Sequence, residues 1–219
     1  MASWMVHLRI ADKLLDRLPG LSPVEFIVGN IAPDSGVPNA DWSAFTPNTQ
    51  ISHFKTDSST ADPAAFAAKY FTPVLRECYH EKQYAFYLGY LVHLLTDVLW
   101  VEKVYHPAKI KFAKEREADP KNFIWKLKED WYDLDYLYLR DHPGFRAFRV
   151  YLGAVGFVNE YMEEFSTDAF DNRREYITGF YLQKKDDLDR EYPYLTKQEA
   201  DQFIEDAVTA IENQLKSFC

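Results

Sequence analysis

Cysteine is nearly missing from this chain: Cys78 and Cys219 are the only two in 219 residues. A disulfide scaffold and a thiolate zinc site are thereby excluded. Glycine (8) and proline (11) are too scarce for collagen-like or linker-rich sequence. Positive charge is in deficit, with 25 Lys and Arg against 34 Asp and Glu, a net −9. Such a chain repels phosphate polyanions at long range, so no stable nucleic-acid complex is expected, and an anionic membrane surface is disfavoured. The local basic clusters (Lys109, Lys111, Lys114, Arg116; Arg173, Arg174; Lys184, Lys185) are diluted by acids and read as solvated helix faces.

Long hydrophobic runs are missing too. The longest, Phe86 to Trp100, is shorter than the ~20 residues of a membrane span and carries His93 and Asp97. No transmembrane segment is expected. The opening Met-Ala-Ser-Trp-Met-Val-His has no basic region followed by an apolar run, so no signal peptide is read, and a cytoplasmic location is expected. There is no phosphate-binding glycine loop, dinucleotide fingerprint, His-Glu-x-x-His, Gly-x-Ser-x-Gly or recognisable Cys–His pair.

What is present is apolar and aromatic: 47% hydrophobic residues and 16% Phe, Trp and Tyr, enough for a sizeable core. The apolar spacing is helical nearly throughout, and no two-residue alternation with hairpin turns predicts a sheet. The expected fold is all-α, a single-domain multi-helix bundle over residues 1–219. Helices are expected at Trp4–Leu18, from Pro23 to near Gly29, and at Asp62–Tyr79, Glu81–Tyr105, Pro107–Glu117, Pro120–Arg140, Pro143–Phe165 and Ala169–Tyr192. A last one follows the capping box of Thr196 and Glu199. The segment Ile31–Ser59, rich in Pro, Asn and Ser, reads as a long loop, and loops of that length are usually disordered or functional.

The helix Phe86–Trp100 is apolar almost all round and belongs in the middle of the bundle. His93 and Asp97 lie four apart, on one face of it. A carboxylate buried there needs compensation, either by a His–Asp or arginine contact or by a metal held one turn apart. His7 lies on the interior stripe of the first helix with Ile10, Ala11, Leu14 and Leu18. Asp34 and His53 fall in the long loop, where each alone reads as a turn aspartate and a surface histidine. Together the five give three imidazoles and two carboxylates, a ligand set suited to zinc and similar divalent ions.

The order His7, Asp34, His53, then His93-x-x-x-Asp97 within Gly-Tyr-Leu-x-His-Leu-Leu-Thr-Asp resembles the zinc-dependent phospholipase C family, which shares its all-helical fold with the fungal single-strand-specific nucleases. The resemblance is clearest over residues 1–106. It implies a metal cluster that cuts phosphodiester bonds, with a metal-bound hydroxide attacking phosphorus. Asp34, His53, His93 and Asp97 would hold one metal, and Asp97 would bridge to another that also binds His7. Asp34 would orient or deprotonate the attacking water.

This chain departs from the family's pattern in two places. Family members use a processed N-terminal tryptophan as a ligand, whereas Trp4 here reads as a packing residue. The remaining metal needs further ligands, for which Glu102, His106, Asp130 and Asp133 are the candidates, with a solvated acidic face the competing reading of the two aspartates. One or two zinc ions are therefore expected rather than three. His80 and His142 are expected to be bystanders. The expected activity is a divalent-metal hydrolase acting on a small phosphoester or phospholipid headgroup. The alternatives are a non-catalytic helical protein that retains a structural metal site, and a nuclease or nucleotidase on the same fold.

Overall fold

The computed structural model describes residues 1–41, 43–55 and 60–218. Cys219, Trp42 and residues 56–59 of the expected long loop lie outside them. Helices dominate: α1 (Trp4–Arg17), α2 (Pro23–Ile31), α3 (Thr49–Ser52), α4 (Pro63–Tyr70), α5 (Pro73–Cys78), α6 (Glu81–Trp100), α7 (His106–Lys111), α8 (Ala113–Ala118), α9 (Phe123–Asp141), α10 (Arg146–Gly153), α11 (Ala169–Tyr181) and α12 (Lys197–Phe218). A 3₁₀ turn over Ala32–Asp34 follows α2, and a π-helical turn over Val101–Tyr105 joins α6 to α7. The absence of sheet needs a small correction. Val37–Pro38 (β1) and Phe45–Thr46 (β2) pair antiparallel, a two-residue ladder too short to leave any alternation in the sequence.

Helix α6 lies at the centre, as its all-round apolarity requires, with every residue from Ala85 to Asp97 buried. The expected shortfall for a membrane span does not hold for the helix as a whole. The continuous helical run Glu81–Lys111 is long and apolar enough to cross a membrane, but 83% of its most apolar window is buried inside the protein. The π turn carries it past Trp100, whose ring packs edge-on against Trp131 and Phe203.

Helix α2 packs on α6 at unusually close range because glycines face each other. A methyl group on Gly29 would sit 2.1 Å from the Phe86 carbonyl oxygen, and one on Gly89 would sit 2.1 Å from that of Phe26. No side chain other than hydrogen fits at either position. Helix α1 lies across α2 and α6 and also meets α10 and α12. Its contact with α12 is apolar in the middle, with Phe203, Ile204, Ala207, Val208, Ile211 and Leu215 buried. Arg9–Asp201, Lys13–Glu205 and Arg17–Glu212 pair along its edge. Exposed pairs of this kind contribute about 0–1 kcal/mol each. They set register more than stability.

Several expected helices are shorter or broken, for local reasons. The expected Asp62–Tyr79 splits at Pro73, where Thr72 takes an extended conformation and caps α5. Pro120 lies outside α9, in a turn closed by Asp119 on Asn122. The expected Pro143–Phe165 ends at Gly153. The chain beyond it is organised by Asn159, whose amide donates to the Met162 and Phe165 carbonyls and whose oxygen accepts from Tyr161 and Met162. One side chain here satisfies backbone groups that a helix would otherwise use. The Thr196–Glu199 capping box stands as read, with both reciprocal bonds formed.

Candidate metal centre

His7, Asp34, His53, His93 and Asp97 converge where α1, α2, α6 and the loop after α2 meet. The close glycine contact of α2 and α6 brings the Asn30 carbonyl 2.8 Å from His93 Nδ1. With that nitrogen engaged, His93 Nε2 is left to face the cluster. His53 follows the single turn of α3, and its Nδ1 lies 2.9 Å from Ser52 Oγ. The Tyr90 hydroxyl donates to the Ser52 carbonyl and ties this turn to α6. Asp34 closes the 3₁₀ turn, and its Oδ2 accepts the indole N–H of Trp4 at 2.9 Å.

His53 Nε2 is 3.4 Å from Asp34 Oδ1, 3.5 Å from Asp97 Oδ2 and 3.4 Å from His93 Nε2. His93 Nε2 is 3.7 Å from Asp97 Oδ2 and 4.0 Å from Asp34 Oδ1. His7 Nε2 is 3.5 Å from Asp97 Oδ1, which also accepts the Ala2 backbone N–H at 2.8 Å. Two overlapping groups could hold a metal ion: His7, His93 and Asp97, and Asp34, His53 and His93.

The electrostatics are those of a cation site. Burial works against ionisation of Asp97 and Asp34, yet hydrogen bonding and the surrounding positive potential hold both carboxyls well below the usual carboxylate range. For Asp97 the bonding group is His7, and for Asp34 it is His53. Burial, with His7 alongside, pushes His93 down to about 3, so it is neutral and able to ligate at physiological pH. Among the described residues no Lys or Arg pairs with either carboxylate. A buried carboxylate and a largely buried one, beside a neutral His93 and with no Lys or Arg partner, are a costly arrangement unless a cation joins them. His7 makes the same point, since its ring is fully buried, Nδ1 has no hydrogen-bond partner among the described residues and Nε2 meets Asp97 only at 3.5 Å. An orphaned imidazole of this kind is explained by a metal.

Residues 6–141 match the zinc dependent phospholipase C family, and the match includes all five of these residues. The chain belongs to the zinc-dependent phospholipase C family. No curated protein and no solved structure matches it. The family's all-helical fold and its dependence on zinc accord with the architecture and with these two groups.

The candidates for a further metal site do not assemble. Asp130 and Asp133 are buried on α9, not solvated, and both are occupied: Arg190 Nη1 bonds Asp130 at 2.7 Å, and Arg190 Nη2 bonds Asp133 at 2.9 Å. Lys185 adds a second cation to Asp133, and the Tyr194 backbone N–H bonds Asp130. Glu102 and His106 are exposed, and Glu102 pairs with Lys103. His80 caps α6 and His142 stacks on Tyr138, both outside the two ligand groups.

A cleft of about 360 Å³ opens over Asp34 and is walled by Trp4, Ile124, Lys128, Trp131, Tyr132 and Arg173 among others. Trp4, Arg173 and Lys128 line it and were not assigned to the site by the sequence reading. Trp4 packs edge-on against Tyr176, Phe180 and Tyr181 as a packing residue should, but its indole N–H also holds Asp34. Arg173 is buried rather than on a solvated face. The signal was available: Arg173 is three residues after Phe170 and four before Ile177, both buried, so it lies on the core side of α11. Lys128 has no comparable signature.

Proposed function

We propose that this chain is a zinc-dependent hydrolase that cleaves a phosphodiester bond in a small substrate, most suitably a phospholipid headgroup. The observation that carries the reading is the pair of the buried Asp97 and the largely buried Asp34, ionised and, among the described residues, without Lys or Arg partners, beside three imidazoles. Asp34, His53, His93 and Asp97 would hold one zinc, and His7 with the other oxygen of Asp97 would contribute to holding a second, since the one free nitrogen of His93 can ligate only a single ion. Zinc in such a site supplies Lewis-acid stabilisation of charge building on phosphoryl oxygens and acidifies water at neutral pH.

The chain's own residues do the positioning. Asp34, ionised and fixed by the Trp4 indole on one oxygen, presents the other as an acceptor that orients the attacking water. Its low pKa makes it a weak base, so orientation is its main role. The Asn30 carbonyl and the Ser52 hydroxyl fix the rings of His93 and His53. The aromatic walls of the cleft exclude water and suit the apolar part of a lipid near its headgroup. The acidic surface of the chain disfavours a nucleic-acid substrate. The whole chain is read as one domain because α1 near its start packs along α12 near its end.

The test is release of phosphocholine from a short-chain phosphatidylcholine by zinc-loaded protein. Turnover that is abolished by chelation and reduced at least a hundredfold in Asp34→Asn with zinc retained is the expected result. Zinc-replete protein with no turnover of phosphodiesters or phosphomonoesters contradicts it. That outcome favours a structural zinc site, the reading toward which the ion-paired Asp130 and Asp133 point.

A further inference from the structure

The cleft over the metal centre contains two cations that folding does not account for. Arg173 is 6% exposed. Among the described residues its guanidinium makes one hydrogen bond, from Nη2 to the Gly36 carbonyl at 2.6 Å, and no ion pair. It lies against the rings of Phe45 and Tyr176, with centroids 5.9 Å and 5.5 Å away. Lys128 lines the same cleft from α9. It is half-buried, forms no ion pair among the described residues, and its ammonium is 4.9 Å from the Trp125 ring centroid.

Three other largely buried arginines of this acid-rich chain meet carboxylates: Arg9 with Asp201, Arg174 with Asp171, and Arg190 with Asp130 and Asp133. Burying a guanidinium with no paired anion is expensive. Burial lowers the pKa of Lys128, and Asp34 across the cleft raises it, so the two share a field.

We propose that Lys128 and Arg173 are an anion-binding pair that holds the phosphoryl group of substrate or product in the cleft beside the zinc ligands. The pair rests on the reading of the site as a phosphoester hydrolase, and it names what recognises the phosphate. The planar fork of Arg173 matches two phosphoryl oxygens, and Lys128 adds a point charge from α9. The pair also supplies positive charge to the cleft that Asp34 lines. A lipid headgroup and free phosphate present the same chemistry to it.

The experiment is calorimetric binding of inorganic phosphate and, separately, of phosphocholine to zinc-loaded protein. Zinc content is measured on the same samples, for the wild type, Lys128→Gln and Arg173→Gln. The expected result is millimolar or tighter binding by the wild type. Affinity falls on the order of tenfold in Lys128→Gln at unchanged zinc content. Loss for both probes identifies the phosphoryl group itself as the ligand. Loss for phosphocholine alone assigns the pair to a headgroup, and loss for phosphate alone assigns it to the free ion. Lys128 is half-exposed, so its variant decides the matter if Arg173→Gln does not fold. Wild-type protein that binds neither probe, or a zinc-replete Lys128→Gln that binds both as the wild type does, overturns the proposal. Absent turnover bears on the hydrolase reading alone, because a Lys128-dependent phosphate affinity stands without it.

Discussion

The imidazoles of His7 and His93 lie flat on one another, with ring centroids 3.8 Å apart and planes inclined by 2°. Their Nε2 atoms are 3.5 Å and 3.7 Å from the carboxylate of Asp97. Two imidazolium ions stacked at this range would repel strongly, so the arrangement belongs to rings of which at least one is neutral. Burial keeps His93 in that state. Its one free nitrogen can ligate a single ion, beside His53 and Asp34. His93→Ala is therefore expected to lose the zinc it shares with Asp34 and His53, and His7→Ala to keep that ion. Elemental analysis of protein purified without chelator reads this directly, and a His7→Ala variant stripped of all zinc would count against the division.

Removing the metal should also weaken the fold. Apo protein must hold two buried carboxylates without a cation, and a ligand at a hundred times its dissociation constant stabilises by about 2.7 kcal/mol. For a chain of this size each kcal/mol moves the melting temperature by roughly 2–4 °C. A chelator should lower it by about 5–10 °C, restored on adding zinc. An unchanged melting curve under a chelator that has demonstrably removed zinc would show that the centre contributes nothing to stability.

The close approach of α2 and α6 sets the position of His93. In Gly89→Ala the new methyl meets the backbone of Phe26 and Asn30, which cannot swing aside. The expected cost is about 3 kcal/mol or more, with weaker zinc retention as the Asn30 carbonyl moves away from His93. Gly179→Ala in α11 is the control, because nothing lies within 4 Å of its added methyl, and it should be neutral or stabilising by about 0.5–1 kcal/mol. Urea denaturation of the two variants distinguishes them.

Asp135 gives the fold a pH dependence of its own. It accepts hydrogen bonds from Ser3 Oγ at 2.8 Å and the Tyr181 hydroxyl at 2.6 Å, and burial raises its pKa to about 7. Between about pH 4 and 7 the folded chain keeps a proton there that the unfolded chain has released. Stability from this group is thus full below pH 4, falls through that window and is level above it. The whole effect is on the order of 4 kcal/mol. Asp135→Asn should flatten that slope and melt higher than the wild type at pH 8, even after Tyr181 loses its acceptor at a cost of about 1 kcal/mol. Denaturation midpoints from pH 5 to pH 8 that decline equally in both proteins would contradict the assignment.

The metal centre was legible because its chemistry leaves marks in sequence. His93 and Asp97 stand one turn apart in a helix with no other polar purpose, and His7 sits on an interior stripe. Asp34 and His53 were legible only through the ordered resemblance, since a loop residue carries no periodicity to say where it points. The helices that failed, after Gly153 and at Pro73, failed where a single side chain or proline diverts the backbone, an effect that apolar spacing does not register. Lys128 and Arg173 were missed for a related reason. Charge counts treat each basic residue as solvated; the spacing of Arg173 from Phe170 and Ile177 argues otherwise, whereas only the packing of α9 beside the cleft singles out Lys128.

Anomalous scattering at the zinc absorption edge, from crystals of zinc-loaded protein, tests the central claim most directly. The account predicts one peak within coordination distance of Asp34, His53, His93 and Asp97, and any second peak at His7 and Asp97. Zinc bound elsewhere, at Asp130 and Asp133 or at Glu102 and His106, with these five residues unliganded, would contradict it.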